Sequence, residues 1–247
     1  MNGRNIVMNF SHAYEENRFM RSSGFEWIDC SSIGGTNCYL DDAAAAHLRK
    51  LISAYGCEGT HWIDSGDYHY MTKLWTDMVA EPFTLVVFDH HPDMQEPLFP
   101  GMLSCGSWLR AALESNSFIK EVYLLGVADS LTGECTGFED RLHIVAESNI
   151  NHAAVPDWSA ERAVYLSIDK DVFNRDETVT NWDQGSLDFG RFRKFIDALA
   201  PCRIIGTDIC GEDASITVSA NRIDDKQKNE AFNESLYGLI RDKLIRE

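Results

Sequence analysis

The sequence predicts an α/β protein: a single three-layer domain over residues 1–247, with a mainly parallel sheet flanked by helices. Three observations carry this expectation. Short apolar runs alternate with helical patterns from one end of the chain to the other. The runs are nearly continuously apolar, which marks strands buried on both faces, as in a parallel sheet between helical layers. No internal repeat, low-complexity tract or Pro/Gly-rich linker divides the chain.

Taken in order, the strand expectations are Asn5–Asn9, Thr60–Asp64, Thr84–Phe88, Glu121–Leu125, Ala163–Ile168 and Arg203–Thr207, each rich in Val, Ile, Leu, Tyr or Phe. Between them, Asp41–Tyr55 opens on acidic residues, runs through four alanines and stops at Gly56, the signature of a capped helix. Further helices are expected at Met71–Val79, Ser107–Ser115 and Leu187–Leu199. The last, Lys226–Ile245, carries a helical stripe of Phe232, Leu236, Leu239, Ile240 and Leu244.

The composition narrows the function classes. With 247 residues, 44% hydrophobic and 25% charged, the chain can bury a core. No apolar run approaches the roughly 18–20 residues that span a bilayer, and the N-terminal MNGRNIVMNF lacks a signal peptide's apolar stretch. Seven cysteines without a CxxC pair point to reduced thiols and a cytoplasmic setting, against a disulfide frame or zinc ribbon. A net charge of −17 disfavours nucleic acid and favours cationic substrates or metal ions, although acidity also serves solubility. No Walker-type phosphate loop is present.

In parallel sheets, functional groups gather beyond the carboxyl ends of the strands. The run ending at Phe88 is followed by Asp89-His90-His91-Pro92-Asp93, and alternate residues of an extended segment point the same way. Asp89, His91 and Asp93 therefore converge, while His90 points away. The run ending at Ile168 is followed by Asp169-Lys170-Asp171, again with two carboxylates on one face. Four carboxylates in one dry pocket repel unless cations are present, and two divalent ions balance them. The oxygen and imidazole set suits Mn, Fe, Co or Zn. A third strand-following segment, Ile63-Asp-Ser-Gly-Asp-Tyr-His-Tyr70, offers His69 as a further ligand. His47 is expected on the solvated face of its helix, and His61, His143 and His152 lack ligand spacing.

These segments resemble the ordered motifs of the arginase/agmatinase (ureohydrolase) superfamily, with peptide arginases among the atypical short members it is similar to. Its Gly-Gly-Asp-His, Asp-Ala-His-x-Asp and Ser-x-Asp-x-Asp motifs look like Gly66-Asp67-Tyr68-His69, Asp89–Asp93 and Ser167–Asp171. Softer likenesses are Leu125–Asp129 with Gly133-Glu134, Gln184–Leu187 and Gly206–Ile209, so the likeness runs from about residue 60 to 215. The resemblance implies two Mn2+ ions, other divalent ions being alternatives. His69, Asp89, Asp93 and Asp169 would hold one, and Asp89, His91, Asp169 and Asp171 the other. A bridging hydroxide would then attack a guanidinium carbon and release urea from a guanidino small molecule or an arginine-containing peptide. It further implies catalytic roles for Asp93 and Glu212, and a homo-oligomer as one possible assembly.

Three departures accompany the resemblance. Tyr68 is inserted before His69. Cys105 stands where a proton-shuttle histidine is expected and replaces it as the catalytic candidate there. The guanidinium-binding Glu would fall at Gly211, leaving Glu212 as the nearest candidate. Asp129, Glu15 and His12 are further substrate-contact candidates. Competing readings are a deacetylase-like one-zinc hydrolase on the same fold and a metal-binding member without turnover.

Overall fold

The computed structural model describes residues 4–22, 24–99, 101–156, 158, 163–219 and 221–244. The chain opens with β1 (Arg4–Asn9) and β2 (Phe25–Asp29), then β3 (Tyr39–Leu40), α1 (Asp42–Ile52), β4 (Gly59–Trp62) and α2 (Met71–Thr76). It continues through β5 (Phe83–Phe88), β6 (Leu103–Ser104), α3 (Trp108–Ser115), β7 (Ile119–Val127), β8 (Leu142–Ala146) and α4 (Glu147–Ile150). It closes with β9 (Ala163–Asp169), α5 (Phe189–Ala198), β10 (Arg203–Cys210), α6 (Ala214–Val218) and α7 (Ile223–Leu244).

Eight strands form one sheet in the order β2-β1-β4-β10-β9-β5-β7-β8, and every neighbouring pair in it is parallel. The mainly parallel three-layer architecture expected from the sequence is the one observed. Burial explains it. All six residues of β5 and all seven of β9 are buried, because helices cover both faces of the sheet. On one face, Leu48 and Ile52 of α1, Trp75 of α2 and Trp108 of α3 pack against Ile6, Met8, Leu85 and Val87. On the other, Phe192 and Phe195 of α5 and Phe232, Leu236 and Ile240 of α7 pack against Val7, Val86, Leu166 and Ile168.

Helix starts follow local chemistry. The Asp41 side chain accepts the Ala44 amide at the start of α1, and Asp188 accepts the Arg191 amide at the start of α5. The expected helices are present, with ends that fall within three residues of their expected limits. The C-terminal one begins at Ile223, and Ile245 lies outside the described residues.

Strands β2 and β8 were not anticipated. They are the sheet's two edges, so each keeps a single buried residue and the rest are half-buried or exposed. The antiparallel pair β3–β6 lies outside the main sheet. Among the described residues, no helix is long and apolar enough to cross a membrane.

One feature of the strand order positions the site. Strands β4 and β5 lie close in sequence but are separated in the sheet by β10 and β9. The segments leaving the carboxyl ends of β4, β5, β9 and β10 therefore converge on one crevice.

Candidate metal centre

His69 is delivered by the segment after β4. Asp64, with φ at +85°, turns the chain there. Its carboxylate accepts the amides of Phe10 and Ser11 at 2.9 Å and of Ser65 at 2.8 Å, which ties the turn to the end of β1. A short 3-10 turn over Gly66–Tyr68 then absorbs the inserted residue. Tyr68 stacks on Phe10 with ring centroids 4.2 Å apart, and His69 swings into the crevice. Gly66 keeps this corner uncrowded: a Cβ there would lie a tight 3.0 Å from Trp182 Cδ1 and 3.2 Å from Asp169 Oδ2.

The other donors follow β5 and β9. His69 Nδ1 lies 3.1 Å from Asp89 Oδ2, 3.1 Å from Asp93 Oδ2 and 3.4 Å from Asp169 Oδ2. His91 Nδ1 lies 2.8 Å from Asp171 Oδ2 and 3.8 Å from Asp89 Oδ1. Two groups of potential ligands result, His69/Asp89/Asp93 and Asp89/His91/Asp171, with Asp89 in both. The six residues expected as metal ligands are thus brought together. Asp93 reaches the group through a left-handed backbone, φ +50°, a conformation that costs a non-glycine residue energy and that its surroundings must enforce.

Neighbours fix the donors. Trp108 Nε1 donates to Asp93 Oδ2 at 2.5 Å, the His90 amide donates to Asp171 Oδ1 at 3.1 Å, and the Asp171 amide donates to Asp169 Oδ1 at 3.0 Å. With Nδ1 of His69 facing the carboxylates, its Nε2 lies 2.9 Å from Ser167 Oγ, which sets the ring's orientation.

The electrostatics are those of carboxylates crowded together in a buried cluster. Burial pushes the Asp89 carboxyl up to about 7, helped by the negative charge of Asp93. Burial, then the charge of Asp89, pushes Asp171 up to about 6. Asp93 and Asp169 are raised as well, again by burial first. Burial opposes protonation of His91, but the hydrogen bond to Asp171 and the surrounding carboxylates raise it to about 10. Crowded buried carboxylates that resist ionisation are the signature of a cluster whose charge an added cation would balance. Oxygen and imidazole donors in this ratio suit a divalent first-row ion.

The donors floor a pocket of about 250 Å³, walled by Tyr39, Gln95, Ser104, Cys105, Glu134 and Trp182 among others. Cys105 stands in the wall as expected, but burial, then the charge of Asp93, pushes its thiol up, so it holds its proton and suits a shuttle poorly.

Four expected substrate contacts lie elsewhere. Glu212, expected as guanidinium partner, accepts Lys170 Nζ at 2.5 Å, Asn229 Nδ2 at 2.6 Å and Asn233 Nδ2 at 2.8 Å, and does not line the pocket. Nor can position 211 supply a carboxylate. Gly211 has φ +89°, and a Cβ would come within 2.4 Å of Asp169 Oδ1. Asp129 is exposed, and its carboxylate accepts the Ser148 amide at 3.0 Å and hydroxyl at 2.6 Å, bonds that lower its pKa. His12 and Glu15 pair with each other at 2.8 Å on the surface.

Some site residues were not anticipated. Cys210, at the end of β10, donates to Asp169 Oδ2 at 3.0 Å and completes a third donor group with His69 and Asp169. Its strand-end position was the available signal. The sequence marks Glu134 only as part of a family-like segment, yet its Oε2 is buried without a hydrogen-bond partner among the described residues. Trp182 lies in an irregular segment with no periodicity to mark it. Conversely, His61 is a core residue, its Nδ1 2.7 Å from Asp208 and its ring stacked on Trp75.

The description "Arginase family" matches the chain over residues 12–211. The chain belongs to the arginase family. An uncharacterized protein of Thermotoga maritima is 28% identical over 206 residues, covering 83% of this chain and 78% of that protein. Arginase-family folds recur among solved structures. Formimidoylglutamase from Bacillus subtilis superposes with a TM-score of 0.67 at 15% identity, covering 99% of this chain and 88% of that one. A hypothetical agmatinase from Burkholderia thailandensis gives 0.63 at 15% identity, covering 98% and 87%. Proclavaminate amidino hydrolase from Streptomyces clavuligerus gives 0.63 at 15%, covering 98% and 93%. At such identities the arginase fold is what these structures share with the chain.

Proposed function

We propose that this arginase-family protein is a hydrolase of C–N bonds in amidino or guanidino compounds, working with two divalent metal ions, manganese being the first choice. The observation that carries the reading is the pair of donor groups sharing Asp89 at the floor of the pocket. His69, Asp89, Asp93 and Asp169 would hold one ion, and Asp89, His91, Asp169 and Asp171 the other. Bound there, paired ions supply Lewis acidity and an activated water.

The chain's own residues do the rest. Trp108 and Ser167 hold Asp93 and His69 in place. Glu134, whose Oε2 has no hydrogen-bond partner among the described residues, suits the cationic far end of a substrate or the departing ammonium group, since a buried acceptor left unpaired is costly. Water adds to the central carbon, the C–N bond breaks, and the amine leaves carrying the proton. With no carboxylate available at position 211 or from Glu212, an amidine such as a formimidoyl group fits the pocket as well as a guanidinium.

The test is release of urea, formamide or amine from a panel of guanidino and formimidoyl compounds, including arginyl peptides, after manganese loading. Metal content is measured alongside. Two ions per chain and activity abolished by Asp89→Ala are expected. Activity that survives both Asp89→Ala and Asp171→Ala would overturn the proposal.

A further inference from the structure

One wall of the pocket has a chemistry that the donors do not use. Trp182 is pinned along its pyrrole edge. Its Nε1 donates to Asp67 Oδ1 at 2.9 Å, Asn181 Nδ2 donates to the same oxygen at 3.4 Å, and Gly66 leaves only enough room for the indole's Cδ1. Its ring stands roughly perpendicular to that of His91, centroids 5.5 Å apart at 70°. Thus fixed, it remains 37% exposed and lines the pocket beside His91 and Asp169.

We propose that the face of Trp182 is the recognition surface for the planar cationic group of the substrate, an amidinium or guanidinium, with Asp67 as its positioning residue. This rests on the reading above that such a group is the substrate. A delocalised planar cation is bound either by a bidentate carboxylate or by an aromatic face. The first means is missing beside the donors. Gly211 carries no side chain, Glu212 is held by Lys170 and two asparagines, Asp67 Oδ1 is taken up by Trp182 and Asn181, and Asp89, Asp93, Asp169 and Asp171 are the donors themselves. Glu134 enters from the segment after β7, one strand beyond β5, and suits a group further along the substrate. The second means is present. A carboxylate accepting the indole N–H also pushes electron density into the ring and strengthens its attraction for a cation.

The test uses the full-length manganese-loaded protein. KM and kcat are measured on the best panel substrate, and Kd by calorimetry for methylguanidinium and for methylammonium. Trp182→Leu is expected to raise KM and the methylguanidinium Kd about 5- to 30-fold, with kcat within about 3-fold. It should also erase the preference for the planar cation. Trp182→Phe should recover most of the affinity, which keeps the test decisive if the leucine variant folds poorly. Asp67→Asn should raise KM only about 2- to 5-fold, the range for loss of positioning and polarisation rather than of the face. A wild type that binds methylguanidinium through Trp182 but hydrolyses nothing supports this inference while sinking the proposed activity. A wild type that turns over substrate, with KM and Kd unmoved in Trp182→Leu, overturns this inference alone. A wild type that neither binds methylguanidinium nor hydrolyses any panel compound overturns both.

Discussion

The turn Lys170–Val172 separates two groups of buried carboxylates that the protein treats in opposite ways. On one side, Asp169 and Asp171 join Asp89 and Asp93, with only His69 and His91 to offset them, and burial holds their carboxyls up. On the other, Glu212 is buried too, yet it meets the ammonium of Lys170 and the amides of Asn229 and Asn233. A buried carboxylate is tolerable when its charge is paired and its oxygens are hydrogen-bonded. Glu212 satisfies both conditions from within the chain, and so belongs to the architecture. The donor cluster does not, and a bound cation would supply the balance. The difference separates a structural carboxylate from a ligand more sharply than burial, which both share.

Breaking the uncompensated side should have the largest effect. Asp89→Ala removes the ligand common to both donor groups and is expected to lower kcat/KM about 1000-fold or more, a loss of several kcal/mol of metal-derived stabilisation. Steady-state kinetics with metal analysis would check it, with at least one ion per chain lost.

The compensated side should fail differently. Lys170→Met leaves Glu212 buried without its cation and is expected to cost about 3–5 kcal/mol in urea denaturation. Adding Glu212→Gln should recover most of that stability. Glu212→Gln alone should leave KM within about 2-fold once folded, as suits a residue outside the pocket, since only lost substrate contacts are worth more. A large rise in KM would restore Glu212 as a substrate contact and dissolve the contrast.

Next comes pH. Asp89 is raised from 3.8 to about 7 and Asp171 from 3.8 to about 6 on folding, so the folded state binds more protons than the unfolded one. Their contribution is fully favourable below about 4, the unfolded value, and is lost as pH rises towards 7. His91, raised from 6.5 to about 10, extends the loss in the same direction over that higher range. With chelator present, Tm should therefore fall as pH rises through these windows, and manganese should flatten the fall. Melting curves across pH with and without the ion measure it.

The smallest effect that still tests the contrast is Ser167→Ala. Freeing Nε2 of His69 is expected to weaken metal affinity about 10- to 100-fold without changing the ion count at saturation, the usual reach of a ligand's hydrogen-bond partner. Metal titration monitored by activity would show it.

Much of this was legible in the residue order. Strands β5 and β9 announce themselves because full burial on both faces leaves no polar interruption. The donors after them were legible because alternate residues leaving a buried strand share a direction. Edge strands β2 and β8 were not, since half-exposed strands carry mixed sequence. Glu212 and Asp129 misled for a common reason. A place just beyond a strand fixes where the backbone emerges, whereas the side chain turns towards its best partner, here Lys170 and Ser148.

What the sequence determined by itself is the layered parallel fold and the identity of the acidic and imidazole cluster, because burial patterns and strand-end positions are local properties. What only the tertiary structure decided is which acids remain uncompensated and what walls the space above them. Lys170 is 42 residues from Glu212 and Asp67 is 115 from Trp182, and pairings over such separations are set by the order of strands in the sheet, which no local pattern records.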